Sequence, residues 1–180
     1  MSLAGRLSTS PQPPQDTGEL RKVLGRFSTG VTVVTAYAGT PCGMTANAFT
    51  SVSLDPPSIL VCINRNAAIY QAVRKAGGFA VSVLSAGQED VARHFANHSR
   101  PRGAAEFGTV GWSPAPLTGT PVLDGAVAWL DCALTTSYDG GDHEIFIGKV
   151  LASGFGSAQN ALVFFGGSFH QLVPGNPESS

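Results

Sequence analysis

The sequence predicts a mainly β fold with a few helices, and two observations carry that expectation. Short runs rich in β-branched and apolar residues recur at Val31–Tyr37, Ser58–Ile63, Phe79–Leu84, Val127–Tyr138 and His143–Val150, most of them bounded by glycine, proline, Asn or Asp. Apolar residues at helical spacing, by contrast, occur in three places only. A chain of 180 residues is long enough for one domain with a sizeable core and too short for two ordinary ones.

Taken in order, residues 1–17 read as a flexible tail. Pro11, Pro13 and Pro14 among Ser and Gln cannot build a packed core. Asp16 or Thr17 can cap a helix in which Leu20, Val23, Leu24 and Phe27 form one apolar face, with Gly30 as its stop. Arg21, Lys22 and Arg26 lie off that face and are expected in solvent. Val31–Tyr37 follows as a strand, and Gly39-Thr40 turns the chain back.

The next stretch, Cys42 to Pro57, has an unusual composition. A strand pair that only covers a core alternates apolar and polar residues. Here Thr45, Asn47, Thr50, Ser51 and Ser53 crowd together with Met44, Ala46, Ala48, Phe49 and Val52, without a lysine or arginine. Short polar groups on an apolar ground suit a flat, mostly apolar ligand with a few hydrogen-bonding edges, such as an isoalloxazine ring. A Ser/Thr-rich strand with its turns is the plainer alternative.

Ser58–Ile63 is a continuous apolar run and reads as a strand buried on both faces. Asn64, Arg65, Asn66 and Ala67 lead into a helix through Ile69, Tyr70 and Val73 that ends at Gly77-Gly78. A helix N-terminus directly after a buried strand offers free N–H groups and a positive dipole end to an anion. Asn66 either serves that purpose or caps the helix. Phe79–Leu84 alternates like a strand, and Ser85 can cap a helix over Gly87–Ala96 with Val91, Ala92 and Phe95 facing inward. His94 and His98 stand four apart, but no acidic or cysteine ligand accompanies them at a known spacing, so no metal site is expected and both read as surface histidines.

Residues 98–121 are rich in glycine and proline and read as a long loop covering a site or another subunit. Arg100 and Arg102 within it are either phosphate ligands or ordinary surface arginines, and Trp112 is expected to fill a gap. Val127–Tyr138 and His143–Val150 flank the tight reversal Asp139-Gly140-Gly141-Asp142. Gly154-Phe155-Gly156 lacks the third glycine of a dinucleotide fingerprint and is a loop. Residues 174–180 read as a second flexible tail.

The run from Gly43 to Pro57 (GMTANAFTSVSLDPP) resembles the signature of the short-chain flavin reductases, the reductase components of two-component flavin-dependent monooxygenases. Gly25–Thr35 is similar to that family's entry element. Gly141-Asp142-His143 followed by Ile147-Gly148-Lys149-Val150 resembles its second signature, and Ala161–His170 its last hairpin. The resemblance spans residues 18–173 and implies a flavin reductase-like, FMN-binding split β-barrel. It implies an NAD(P)H:flavin oxidoreductase that binds FAD or FMN, takes NADH or NADPH as co-substrate, and supplies reduced flavin to a separate monooxygenase. It places Met44, Thr45, Ala46, Asn47, Ser51, Val52, Ser53, Cys62, Asn64, Asn66, Ala67, Arg100 and Phe165 around the cofactor and His143, as the catalytic residue, at the nicotinamide side. Two departures stand out. Asn66-Ala67-Ala68 occupies the junction where the family usually carries serine or threonine, and Gly166 and Ser168 stand where relatives often carry arginine. A non-catalytic flavin- or haem-binding split-barrel protein is the alternative. A pyridoxine phosphate oxidase would want basic phosphate ligands, which the signature stretch lacks.

Composition narrows the remaining classes. A net charge of −1 without a lysine or arginine run argues against nucleic acid or an anionic membrane as partner. No apolar run reaches about 18 residues, and Met1 to Gly18 has no signal-peptide core. Three cysteines, odd in number and never spaced C-x-x-C, read as reduced thiols of a cytoplasmic protein. Charged residues make up 13% against 43% hydrophobic, which leaves apolar surface for a homodimer to cover. No catalytic triad or carboxylate pair is suggested by spacing, as expected where a cofactor carries the chemistry.

Overall fold

The computed structural model describes residues 16–172. The tail expected over 1–17 lies outside them apart from Asp16 and Thr17, and that over 174–180 lies outside them altogether. The elements in chain order are α1 (Thr17–Leu24), β1 (Thr29–Gly30), β2 (Thr32–Tyr37), β3 (Pro41–Ala46), β4 (Phe49–Leu54), β5 (Pro57–Asn64) and α2 (Ala68–Ala76). They continue with β6 (Gly78–Val83), α3 (Glu89–Ala96), β7 (Trp112–Pro114), β8 (Pro121–Leu123), β9 (Ala128–Gly140), β10 (His143–Phe155), β11 (Ala161–Phe165) and β12 (Ser168–Leu172).

Seven strands form one antiparallel sheet in the order β3-β2-β6-β9-β10-β5-β4. Its two edge strands, β3 and β4, are consecutive in the chain and joined only by Asn47 and Ala48. A flat sheet of that width would hold its edges roughly 29 Å apart at about 4.8 Å per strand, whereas a two-residue link spans at most about 11 Å. The sheet is therefore rolled until its edges meet, leaving a seam at Asn47-Ala48 where β3 and β4 are not paired. A second sheet, β1-β11-β12, stands beside it, and β7-β8 forms a separate hairpin.

Three apolar clusters fill the interior, two of them large. Val34, Val61, Ile63, Phe79 and Phe146 pack with Ile69, Tyr70 and Val73 of α2. Val31, Val33, Leu84 and Phe107 pack with Ala92 and Phe95 of α3. β2 lies between the first two clusters, and Ala80 on the other face of β6 packs with Ala115 and Val122 in the third, so both strands are covered on each face. The alternation expected of Phe79–Leu84 is accordingly not expressed as a wet face. Gly148 in β10 is required by packing, since a Cβ there would stand 2.5 Å from Cζ of Phe79.

Four local expectations are corrected. β5 is buried on one face only: Ile59, Val61 and Ile63 point inward, while Leu60, Cys62 and Asn64 are half-buried on the other side. α1 begins as expected, with the Gly18 amide donating to Asp16 Oδ1 at 2.7 Å, but it ends at Leu24 rather than at Gly30. Thr29 and Gly30 instead pair with Phe164 and Val163 of β11, which takes these residues out of the helix. The segment 98–121 is not a bare loop; it carries a 3₁₀ turn over Gly103–Phe107 and the β7–β8 hairpin. His94 is half-buried rather than solvated, its Nε2 standing 2.8 Å from the Glu106 carbonyl oxygen.

Candidate active site

The outer face of β4–β5 is not bare. Across from it stand α1 with the residues that follow it and the β11–β12 hairpin, and between them lies a cavity of about 750 Å³. One wall consists of Asn47, Ala48, Phe49 and Thr50 at the seam, with Leu60 and Cys62 of β5. The facing wall consists of Leu24, Gly25, Phe27, Thr29, Phe164 and Gly167, with Arg21 at the rim. Ligand cavities typically measure about 300–1,000 Å³ and are apolar with a few placed polar groups. One such group is Thr29, whose Oγ1 is buried without a hydrogen-bond partner, the only such side-chain atom among the described residues.

A second cleft, of about 270 Å³, opens where Gly43, Met44 and Thr45 of β3 face Asn66, Ala67 and Ala68 at the start of α2. Asn66 does not cap this helix. Ala67 occupies the cap position and supplies no side-chain bond, while the Asn66 amide donates to Asn64 Oδ1 at 2.9 Å. The first amides of α2 thus lack a side-chain acceptor, a ready site for an anion.

Arg100 lies against this cleft, but its guanidinium is engaged by protein. Nε donates to Glu106 Oε1 at 2.5 Å, Nη1 to the Asn97 carbonyl at 2.8 Å, and Nη2 to the Gly43 carbonyl. The Gly43 amide in turn donates to Glu106 Oε2 at 3.0 Å. A buried ion pair therefore satisfies both outward backbone groups of Gly43 on an edge strand, as a neighbouring strand would. Phe95 closes on the same residue so tightly that a Cβ at Gly43 would stand 2.7 Å from its ring. Arg102, exposed on the same cleft, donates among the described residues only to the His98 carbonyl, at 3.1 Å.

The remaining candidates of the signature stretch are dispersed. Asn47 lines the cavity, whereas Ala46 is buried and its carbonyl accepts from Thr32 Oγ1 at 2.7 Å. Thr45 Oγ1 donates to the Ala92 carbonyl at 2.7 Å. Ser53 Oγ is occupied within its own turn, accepting from the Asp55 amide and donating to its carbonyl. Ser51 and Val52 are exposed at an irregularity of β4. In the last hairpin Phe164 lines the cavity, while Phe165 lies under the Arg26 guanidinium, 6.0 Å from ring centre to Cζ.

His143 begins β10 and pairs in register with Asn64, as Ile145 does with Cys62 and Ile147 with Leu60. Directly paired residues project from the same face. His143 therefore stands at the end of the face that carries the cavity wall. Its Nδ1 is 2.8 Å from Asp142 Oδ1, and this bond with the imidazole's charge holds the Asp142 carboxyl below its ordinary value, Arg21 adding a smaller contribution. The turn before it is braced by Arg65. Its amide donates to the Asp142 carbonyl at 3.0 Å, Nε to the Gly141 carbonyl at 3.1 Å, and Nη1 to Glu144 Oε2 at 2.9 Å. Glu144 also accepts from Ser137, Tyr70 and Arg74. Its carboxyl is held below the usual range chiefly by the Ser137 and Tyr70 hydroxyls, then by the two arginines.

Sequence reasoning missed most of the facing wall. The signal was present in Leu24 and Phe27, which are 63% and 77% exposed although their spacing marks a helix face made for burial. Leu60 was hidden in the same way, inside a run read as covered on both sides.

An antiparallel sheet rolled around a seam carries an apolar slot on one side of that seam and an anion-ready helix start on the other, two surfaces suited to a planar ligand with an anionic group. The chain belongs to the flavin reductase-like family, whose domain model matches residues 24–173. It is 50% identical over 161 residues to an NADH-dependent FAD reductase of Streptomyces globisporus, covering 89% of this chain and 88% of that protein. Among solved structures it is similar to the NADH:FAD oxidoreductase SgcE6 of Streptomyces globisporus C-1027 in complex with NAD and FAD fragments. That match has 45% identity and a TM-score of 0.84, covering 96% of this chain and all of that one. It is likewise similar to BorF, the flavin reductase component of a bacterial two-component tryptophan halogenase, at 47% identity and a TM-score of 0.84, covering 87% of this chain and 98% of that one.

Proposed function

We propose that this protein is an NADH:FAD oxidoreductase that hands its reduced flavin to a separate flavin-dependent monooxygenase or halogenase. The observation that carries the reading is the cavity itself: about 750 Å³, walled mainly by apolar side chains, with the unpartnered Thr29 hydroxyl in its wall. Flavin held there would supply the redox chemistry, as acceptor of a hydride from the nicotinamide.

The chain's own residues would bind and orient. Leu60, Cys62 and Ala48 offer the ring a flat apolar floor, and Asn47 and Thr50 offer hydrogen bonds along its edge. Leu24, Phe27 and Phe164 exclude water from the opposite side. The α2 amides with Asn66 and Ala67, together with Arg102, would receive the flavin phosphate, while Arg100 holds Gly43 at the edge of the same cleft. His143 would stand at the nicotinamide side, its turn held by Arg65. Bringing the reacting atoms to about 3–3.5 Å is the main contribution asked of such a site.

A homodimer fits the same reading. Among the described residues Leu20, Val23 and Leu24 of α1 and Phe27 beyond it are exposed, and Leu54 and Phe155 are 92% and 95% exposed. A second copy would cover this surface, and light scattering in solution tests it. Among the described residues no helix is long and apolar enough to cross a membrane. A cytoplasmic setting is consistent with Cys42, Cys62 and Cys132, all of them free thiols. The deciding experiment is steady-state oxidation of NADH and NADPH with FAD and with FMN. NADH oxidation fastest with FAD is expected, and absence of turnover with either flavin overturns the assignment.

A further inference from the structure

Where α1 ends against the turn of the β11–β12 hairpin, a cleft of about 300 Å³ adjoins the apolar cavity and shares Arg21, Gly25 and Gly167 with it. Its other lining residues are Lys22, Arg26 and Gly166. Three cations thus surround a space continuous with the ring site, in a chain whose net charge is −1. Among the described residues no acidic side chain lines the cleft. Among the described residues, none of the three cations makes an ion pair.

The cleft is held in shape by backbone. The Gly166 amide donates to the Gly25 carbonyl at 2.8 Å, and the Gly25 amide to the Arg21 carbonyl, also at 2.8 Å. Complementing the helix dipole accounts for Arg21 and Lys22 in the last turn of α1. It does not account for Arg26, which lies beyond the helix and lines the same cleft from above Phe165. A ligand with a planar ring in the cavity and a doubly charged group one step away would meet both surfaces at once.

We propose that this cleft binds the pyrophosphate of a dinucleotide whose redox ring enters the adjoining cavity, and that the dinucleotide is NADH. The proposal rests on the reductase reading for its choice of ligand. Arg21, Lys22 and Arg26 then supply, from the start of the domain, the positive charge that Gly166 and Ser168 do not supply from the hairpin. Charge-assisted bonds from guanidinium groups suit phosphate oxygens, and an exposed site of this kind weakens with added salt.

The test is equilibrium binding to the purified full chain, followed by tryptophan fluorescence, with NAD⁺, FAD and FMN as probes. In the variant K22Q/R26Q, which leaves the cavity-lining Arg21 in place, NAD⁺ affinity is expected to fall about tenfold or more, while FAD and FMN affinities change less than about twofold. The charge-conserving R21K/R26K is expected to retain most NAD⁺ affinity, and only proteins with the charges intact should lose it between about 0.05 and 0.5 M salt. A fall for FAD with FMN and NAD⁺ unchanged overturns the NADH assignment. Unchanged affinity for NAD⁺ and FAD, or an equal loss for all three probes, overturns the site. The readout is binding, so wild-type protein that binds NAD⁺ through these cations but turns over no flavin would sink the reductase reading alone.

Discussion

Thr29 makes opposite demands on stability and on binding, and Thr29→Val separates them. The substitution keeps the β-branched shape that pairs with Phe164 and removes only the hydroxyl, whose Oγ1 is buried without a partner. An unsatisfied buried hydroxyl costs about 1–3 kcal/mol, so the ligand-free variant should gain about 1 kcal/mol or more. For a chain of this length that raises Tm by roughly 2–4 °C per kcal/mol. If the bound flavin supplies the missing partner, the variant also forfeits a hydrogen bond worth about 0.5–1.5 kcal/mol, and the FAD Kd rises roughly 2- to 12-fold. Thermal melts with and without FAD, combined with a fluorescence titration, read both effects on one sample. A variant that melts lower than wild type while binding FAD equally well refutes the reasoning, because the hydroxyl would then be satisfied inside the protein and irrelevant to the cavity.

Other expectations follow from the same contacts. Glu106→Ala strands the buried Arg100 guanidinium and the Gly43 amide, and loss of one member of a buried pair typically costs about 3–5 kcal/mol, so a fall in Tm of roughly 10 °C is expected by calorimetry and a fall under 2 °C contradicts it. Burial pushes the Cys42 thiol up to about 11 and that of Cys132 to about 12, whereas Cys62, raised less, lines the open cavity. Maleimide at pH 8 should therefore label Cys62 first and be slowed by FAD, as peptide mass spectrometry will show; labelling of Cys132 first, or no protection, speaks against the placement. The Glu144 carboxylate, held below the ordinary 4.5, contributes stability that is complete above that pH and lost as pH falls through the depressed value. The Tm gap between wild type and Glu144→Gln should accordingly shrink between about pH 5 and pH 3, and a constant gap removes Glu144 as its source.

Part of this molecule was legible in the chain alone. The strand runs, the Asp139–Asp142 reversal and the start of α1 at Asp16 follow from local propensity and turn chemistry, which act over a few residues and are written in them. The signature from Gly43 to Pro57 likewise pointed to a flavin-binding family. What only the tertiary structure decided is which faces are covered. Leu60 sits in an apolar run that a buried strand and a ligand-facing strand share, because the hydrophobic effect does not distinguish protein from cofactor as the cover. The apolar stripe of α1 was readable, but its destination was not: it lines a cavity instead of a core. Arg100 and Arg102, two residues apart, were equivalent as sequence, and only the position of Glu106 turned one inward to hold Gly43 and left the other facing the cleft. Arg21, Lys22 and Arg26 are exposed, as their place off the apolar face predicts, but only the fold sets Gly166 and Gly167 of the last hairpin beside them. Burial and charge convergence depend on which segments the fold brings together, and no local pattern encodes that.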